Sequence, residues 1–363
     1  MKKYSNTRAT LAIAKASFRS IIRSPSAVVF SLAFPLIFIV VFANIGGSAV
    51  TVDVGVAKTC DTTSPIYRAL KKISVVHLIT RLSTDEMAKN LSKGNIDAII
   101  DVRKNSTLPL YTTNVTYTAA SESKGGILKI YLNSISYQLN TSRSNAPPAI
   151  AEIKESTVSG RVYRYIDFIL PGMLGFSLLS SGVFGTAFVF LSLRLTLVIK
   201  RFFATPVKRY SIVLGEAIAR LLFSWLGALF IIMIGHYAFH FTLVHGIITV
   251  LNMLVLAAIG LIIFMGFGFI ISGIAKNESA VPPLSNIITL PQFLLSGTFF
   301  STAAFPTWLQ KFSDILPLTF LNNAMRHVAF EGAGLGDVSH DLFRLGLWFI
   351  GIYFVAVKTF KWE

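Results

Sequence analysis

Long apolar runs, broken by short basic patches, dominate the pattern along this chain. One run covers residues 27–46. Five more cover 168–193, 212–237, 246–274, 281–300 and 342–357. A helix crossing the hydrocarbon core of a bilayer needs roughly 20 apolar residues, so the runs predict six transmembrane helices. Pro35 predicts a kink in the first, and Gly46 and Gly47 its end. Residues 301–341 are too apolar for a free loop and too broken to span. Pro306, Trp308, Phe312, Pro317 and Phe320 predict short helices wedged into the outer leaflet there, the zone that Trp and Tyr favour.

The rest of the pattern is of two kinds. Residues 7–22, TRATLAIAKASFRSII, put Leu11, Ala14, Phe18, Ile21 and Ile22 on one helical face and Lys15 and Arg19 on another. This predicts an amphipathic helix lying on the inner leaflet. Residues 51–165 alternate and turn like a water-facing domain. TVDVGVA (51–57) reads as a strand, Ser83 to Glu86 as a capping box opening a helix to Lys93, 98–102 as a strand and 127–139 as a helix. Residues 140–155, with Pro147 and Pro148, read as a linker back to the membrane. The predicted organisation is an arm (1–26), a first transmembrane helix (27–47), an extracytoplasmic α/β domain (48–165) and a five-helix transmembrane domain (166–363). The fold class is an all-α polytopic membrane protein with six transmembrane helices and an inserted α/β domain.

Composition agrees. Of 363 residues, 53% are hydrophobic and 14% charged, against about 25% charged in soluble domains. The net charge of +16 raises the question of nucleic acid. The placement of the charge argues against it, because the basic residues cluster beside apolar runs, as they do on the cytoplasmic side of membrane proteins, where they also hold anionic lipid headgroups. Lys2, Lys3, Arg8, Lys15, Arg19 and Arg23 precede the first run. Arg194, Lys200, Arg201, Lys208 and Arg209 follow the second, Lys276 the fourth, and Lys358 and Lys361 the sixth. With six spans these all fall on one side, so both termini are expected in the cytoplasm and residues 51–165 outside. No cleavable signal peptide is expected, since the basic stretch leads into a full-length apolar run without an A-x-A site. The single cysteine, Cys60, excludes an intrachain disulfide and CxxC chemistry.

Four segments resemble permease subunits of type-two ABC exporters. They are RSIIRSPSAVVFSLAFPLIF (19–38), YIDFILPGMLGFSLL (165–179), KRFFATPVKRYSIVLGEAIARLL (200–222) and LPQFLLSGTFFSTAAFPTWLQKFSDILPLTFLNNAMR (290–326). The third is similar to that family's cytoplasmic "LLATPV" element, the fourth to its "LSG…PLT…R" tail. The chain departs from the family just before ATPV. The family often has several Glu there, and SLRLTLVIKR (192–201) has none. The resemblance implies a dimer of permease chains, homo- or heteromeric, with a separate cytoplasmic ATP-binding subunit that carries the ATP and magnesium. It implies export of an amphipathic, lipid-like or drug-like substrate across a bacterial plasma membrane. It also implies that Lys200, Arg201, Thr205, Pro206, Val207, Lys208 and Arg209, in the loop near 194–211, form a coupling element docking on the ATPase. Pro206 is suited to the first turn of a new helix there. Read without the resemblance, the same charges serve topology alone.

Other candidates stand on residue chemistry. Glu216 and Arg220 lie one helical turn apart in the favourable order. They predict an interfacial salt bridge or, alternatively, a gate or ATPase contact. His236, His240 and His245 lack a nearby carboxylate to complete the three or four ligands of a zinc site, so polar caps are expected and no metal. Gly172, Gly175, Gly182 and Gly185 permit close helix packing in the second span. There is no P-loop, HExxH or GxSxG, so no catalytic residue and no intrinsic enzyme activity are expected. The alternatives are a membrane sensor or assembly factor with a ligand-binding outer domain, and an ion-coupled secondary transporter. The scarcity of intramembrane acid weighs against the last.

Overall fold

A computed structural model describes residues 5–23, 32–41, 52–80, 82–94, 96–119, 122–141, 151–158, 164–198, 204–302 and 305–360. The chain divides into two compact units, one of residues 1–45 and 165–363, the other of 46–164.

The first unit is helical. It holds α1 (Asn6–Ile22), α2 (Leu32–Val41) and a 31-residue helix, Tyr165–Leu195, made of α6 (Tyr165–Ser180), a π-helical turn (Ser181–Gly185) and α7 (Thr186–Leu195). In the second unit β1 (Val52–Val56), α3 (Pro65–Lys71), β2 (Val76–Ile79), α4 (Thr84–Lys93), β3 (Ala98–Lys104), β4 (Tyr111–Thr118), α5 (Glu122–Thr141) and β5 (Ala151–Val158) follow in chain order. The helical unit then continues with α8 (Arg209–Phe239), α9 (Ile247–Ile274), α10 (Val281–Leu295), α11 (Thr307–Ser313), α12 (Pro317–Arg326), a second π turn (His327–Glu331) and α13 (Ser339–Thr359).

Among the described residues, four helices are long and apolar enough to cross a bilayer: Tyr165–Leu195, α8, α9 and α13. The expected first span at 27–46 falls partly outside the described residues, and its described part is the apolar helix α2. The expected span at 281–300 is shorter than its apolar run. α10 stops at Leu295, after 15 residues, because Gly297 takes φ +70° and turns the chain. The short helices expected in 301–341 are present as α11, α12 and the π turn after α12.

α1 forms where expected, and its predicted apolar face is divided between packed and exposed residues. The residues turned inward are Thr10 and Ala14, buried, with Ile13, Ser17 and Ile21 half-buried, while Leu11 and Ile22 point outward. Phe18 is half-buried as well, so the packed side of the helix takes both small and large side chains.

The second unit is a five-stranded sheet in the order β2-β1-β3-β4-β5, parallel except for the antiparallel β3–β4 pair. Helices α3 and α5 cover one face through Ile66, Leu70, Leu128 and Leu132 against Val54, Ile100 and Val115. α4 brings Met87 and Leu91 onto the other face beside Ile96 and Ile99. The capping box is complete: Ser83 Oγ accepts from Glu86 N, and Glu86 Oε2 accepts from Ser83 N at 2.8 Å. Cys60 packs against this core, and its Sγ accepts from Val102 N. The linker reading of 140–155 is corrected in part. Residues 142–150 lie outside the described residues, but 151–158 form β5, parallel to β4. Ala151 and Ile153 alternate toward the core, and the backbone groups of β4 supply the ladder that the local composition hides.

Candidate functional site

The helix that follows the basic turn, α8, is the one against which the arm helix α1 packs. Lys200 and Arg201 lie outside the described residues. Thr205, Pro206, Lys208 and Arg209 are exposed, and Val207 packs on the helical core. Residues 204–206 form a turn, and the helix starts only at Arg209, with an extended Lys208 (ψ 146°) as its N-cap. Pro206 is therefore a turn residue and does not sit in the first turn of a new helix. Lys208 Nζ stands 5.9 Å over the Tyr210 ring.

α1 crosses α8 two turns on from there. A Cβ at Gly215 would come within 2.7 Å of Ile13 Cγ2 and 3.0 Å of the Thr10 carbonyl. Only glycine admits this crossing. One residue later the predicted pair is formed: Arg220 Nη2 lies 2.7 Å from Glu216 Oε1, and both side chains are buried. The arginine does more than neutralise the acid. Its Nη2 donates to the Gly185 carbonyl at 2.6 Å and its Nη1 to the Ser181 carbonyl at 3.4 Å. These two carbonyls bound the π turn, where the ordinary helical ladder is interrupted. A Cβ on Gly185 would overlap Arg220 Nη1. The expected small-residue packing of the second span also appears at Gly182, which faces Phe264 of α9.

Two cavities flank the pair. One, of about 430 Å³, has Ser20, Phe34, Phe176, Ser181, Arg220 and Phe223 among its lining residues. The other, of about 380 Å³, includes Ile13, Ser17, Ser20, Ser192 and Glu216. Ser20, Ile21 and Val189 line both, so the ion pair stands in the wall between them. The larger cavity is lined mainly by apolar and aromatic side chains, together with serine hydroxyls and the Arg220 guanidinium. That chemistry suits an amphipathic molecule.

Sequence reasoning passed over three other anchors. Arg194 donates to the Gly273 carbonyl at 3.4 Å and to the Ala275 carbonyl at 2.5 Å, and so caps the C-terminus of α9. Asp167, buried in the first turn of α6, accepts from Thr242 N at 2.7 Å. Arg326 donates to the Phe168 carbonyl (3.1 Å) and the Gly297 carbonyl (2.5 Å), and its guanidinium lies 3.7 Å over the Phe168 ring. Asn322 Nδ2 reaches the Ser296 carbonyl at 3.3 Å. The "LSG" and "PLT…R" pieces of the tail are thus two halves of one clasp. The signal was in the sequence as a buried-type spacing of polar residues on α12, Asn322 and Arg326 being i, i+4.

The histidines serve separate ends. His236 Nδ1 bonds the Phe241 carbonyl at 2.8 Å, His240 ends α8 in the left-handed conformation, and the His245 amide donates to Thr249 Oγ1. Among the described residues, no three His, Cys, Asp or Glu side chains are placed to hold a metal.

Residues 25–358 match the model of the ABC-2 family transporter protein family. The chain is also similar to "ABC transporter G family member 20" of Dictyostelium discoideum, 25% identical over 374 aligned residues that cover 96% of this chain. The chain spans about half the length of that curated relative (50%).

Proposed function

The chain belongs to the ABC-2 transporter family, and from that premise we propose that it is the membrane-spanning permease subunit of an ATP-driven export system. In this reading it crosses the membrane six times. The four long helices are joined by α2 within 27–46 and by α10 with the residues after it. Both termini and the basic turn at 204–209 face the cytoplasm, and residues 48–165 lie outside, in a bacterial plasma membrane. ATP and magnesium are bound by a separate ATP-binding subunit, and a second permease chain completes the pathway. The substrate is amphipathic, lipid-like or drug-like.

One observation carries this reading: the helix that begins just after the basic turn holds the second span by a buried arginine, beside an amphiphile-sized cavity. A push on the turn moves α8 as a rigid body. Through Arg220 that movement reaches the π turn and reshapes the cavity wall. The turn, with Thr205, Pro206, Val207, Lys208, Arg209 and the preceding Lys200 and Arg201, is the surface the ATPase grips. The scarcity of acid in the long helices supports a device driven from outside over one coupled to ions.

The test is reconstitution. The chain is co-purified with an ATP-binding chain, placed in proteoliposomes, and followed with a fluorescent amphiphile. Transport that needs ATP hydrolysis is expected. Transport that survives ATP depletion and collapses with an ion gradient would overturn the reading in favour of a secondary transporter.

A further inference from the structure

The sheet of the α/β unit has unequal edges. β2 closes one with 4 residues, and β5 forms the other with 8, roughly 26 Å of strand at about 3.3 Å per residue. Among the described residues no strand lies beyond β5. Natural proteins block such an edge with proline, bulges or charge. Residues 151–158, AEIKESTV, contain no proline and carry charges of both signs.

The arrangement of those charges is informative. Glu155 is engaged by Lys129 of α5, at 2.6 Å. Glu152 and Lys154 are exposed, and strand alternation puts both on the opposite face from Glu155. A parallel copy in register would oppose Glu to Glu and Lys to Lys. An antiparallel copy centred on Ile153 opposes Glu152 to the partner's Lys154, and Lys154 to the partner's Glu152. It also sets Ile153, half-buried against the unit's core, against the partner's Ile153. The apolar side of one unit then continues into the other.

We propose that β5 pairs antiparallel with β5 of a second copy of this chain about Ile153, joining two sheets into one. The contact is isologous, as a two-fold dimer requires, with the axis along the sheet normal. The inference rests on the permease dimer proposed above and assigns it a specific contact.

The experiment uses the full chain in its membrane with Cys60→Ser, which removes the only thiol. Copper–phenanthroline oxidation of an added Ile153→Cys change should give a disulfide-linked dimer as the main product, because directly opposed Cβ atoms are about 5 Å apart. Thr157→Cys should give none, since the two copies of that position would stand roughly 26 Å apart. Adding Glu152→Lys should lower the I153C yield, and Lys154→Glu on top should restore it. Should I153C fail to reach the membrane, the E152C/K154C variant reads the same register. Absence of a link at the axis, equal linking at both positions, or indifference to the charge changes would overturn the proposal. Differently tagged copies separate it from its premise. If they co-purify while the axis variants fail to link, only this contact falls; if they do not co-purify, the dimer falls with it.

Discussion

Arg220 shows how much one side chain decides here. Glu216 neutralises it and the Gly185 and Ser181 carbonyls absorb its donors. Removing one partner of a buried pair costs about 3–5 kcal/mol, whereas replacing both with apolar residues is often neutral. Arg220→Ala should therefore sharply lower the melting temperature of the purified protein. E216L/R220M should recover most of that stability yet transport poorly, because the π-turn carbonyls lose their donor. An R220A protein that melts like the parent would contradict this. The pair was legible from its i, i+4 spacing. Its burial and its reach to another helix were not, because no local pattern encodes a contact 35 residues away. Tyr117 makes a second residue-scale case. Its hydroxyl has no hydrogen-bond partner among the described residues, and burial, helped by Glu155, pushes its pKa up to about 12. An unfolded tyrosine ionises near ~10. Between those values the unfolded chain has released a proton that the folded one retains, so the stability of the α/β unit falls as pH climbs through that window. Hydrogen exchange of the unit from pH 9 upward should show this loss, and Tyr117→Phe should flatten it without harming stability at pH 7.

At the scale of elements, the arm and its crossing carry the next prediction. Gly215 sets the α1–α8 distance, so Gly215→Leu should expel the arm while leaving the long helices in the membrane. Protease protection of α1, read against an intact α9, would report it; an arm that stays protected would show that the close crossing is dispensable. The helix α1 was legible as amphipathic, but which of its apolar residues pack on the protein, Ala14 and not Leu11 or Ile22, was not. Apolarity marks both lipid-facing and protein-facing residues in a membrane protein, and only the neighbouring helix tells them apart. The α9 and α13 runs were legible for the opposite reason: length and apolarity suffice to mark a span. The end of the helix inside the run at 281–300 was not legible, because apolar residues continue past the turn at Gly297. β5 escaped notice because its ladder comes from β4 and its outer residues look like linker. The capping box of α4 was fully readable, since every atom of that motif lies within four residues.

Taken whole, the molecule joins two physically different parts. The helical unit is held by carbonyl-capping arginines at separated points, Arg194, Arg220 and Arg326. Such anchors let helices move as bodies, which suits transmission over a distance. The α/β unit is an ordinary layered sheet with its own core. The family match covers nearly the whole chain, residues 25–358, and that family was readable from the motifs. The clasp between Ser296–Gly297 and Asn322–Arg326 gives those motifs a physical cause.

In the proposed export system the turn at 204–209 is presented to a cytoplasmic motor. The most direct test is a Thr205→Cys substitution in the Cys60→Ser chain, treated with a membrane-impermeant maleimide in oriented vesicles. Labelling in inside-out vesicles only, and its suppression by an added ATP-binding partner, is the predicted result. Labelling of right-side-out vesicles instead would put the turn on the outer face, where no cytoplasmic ATPase can reach it.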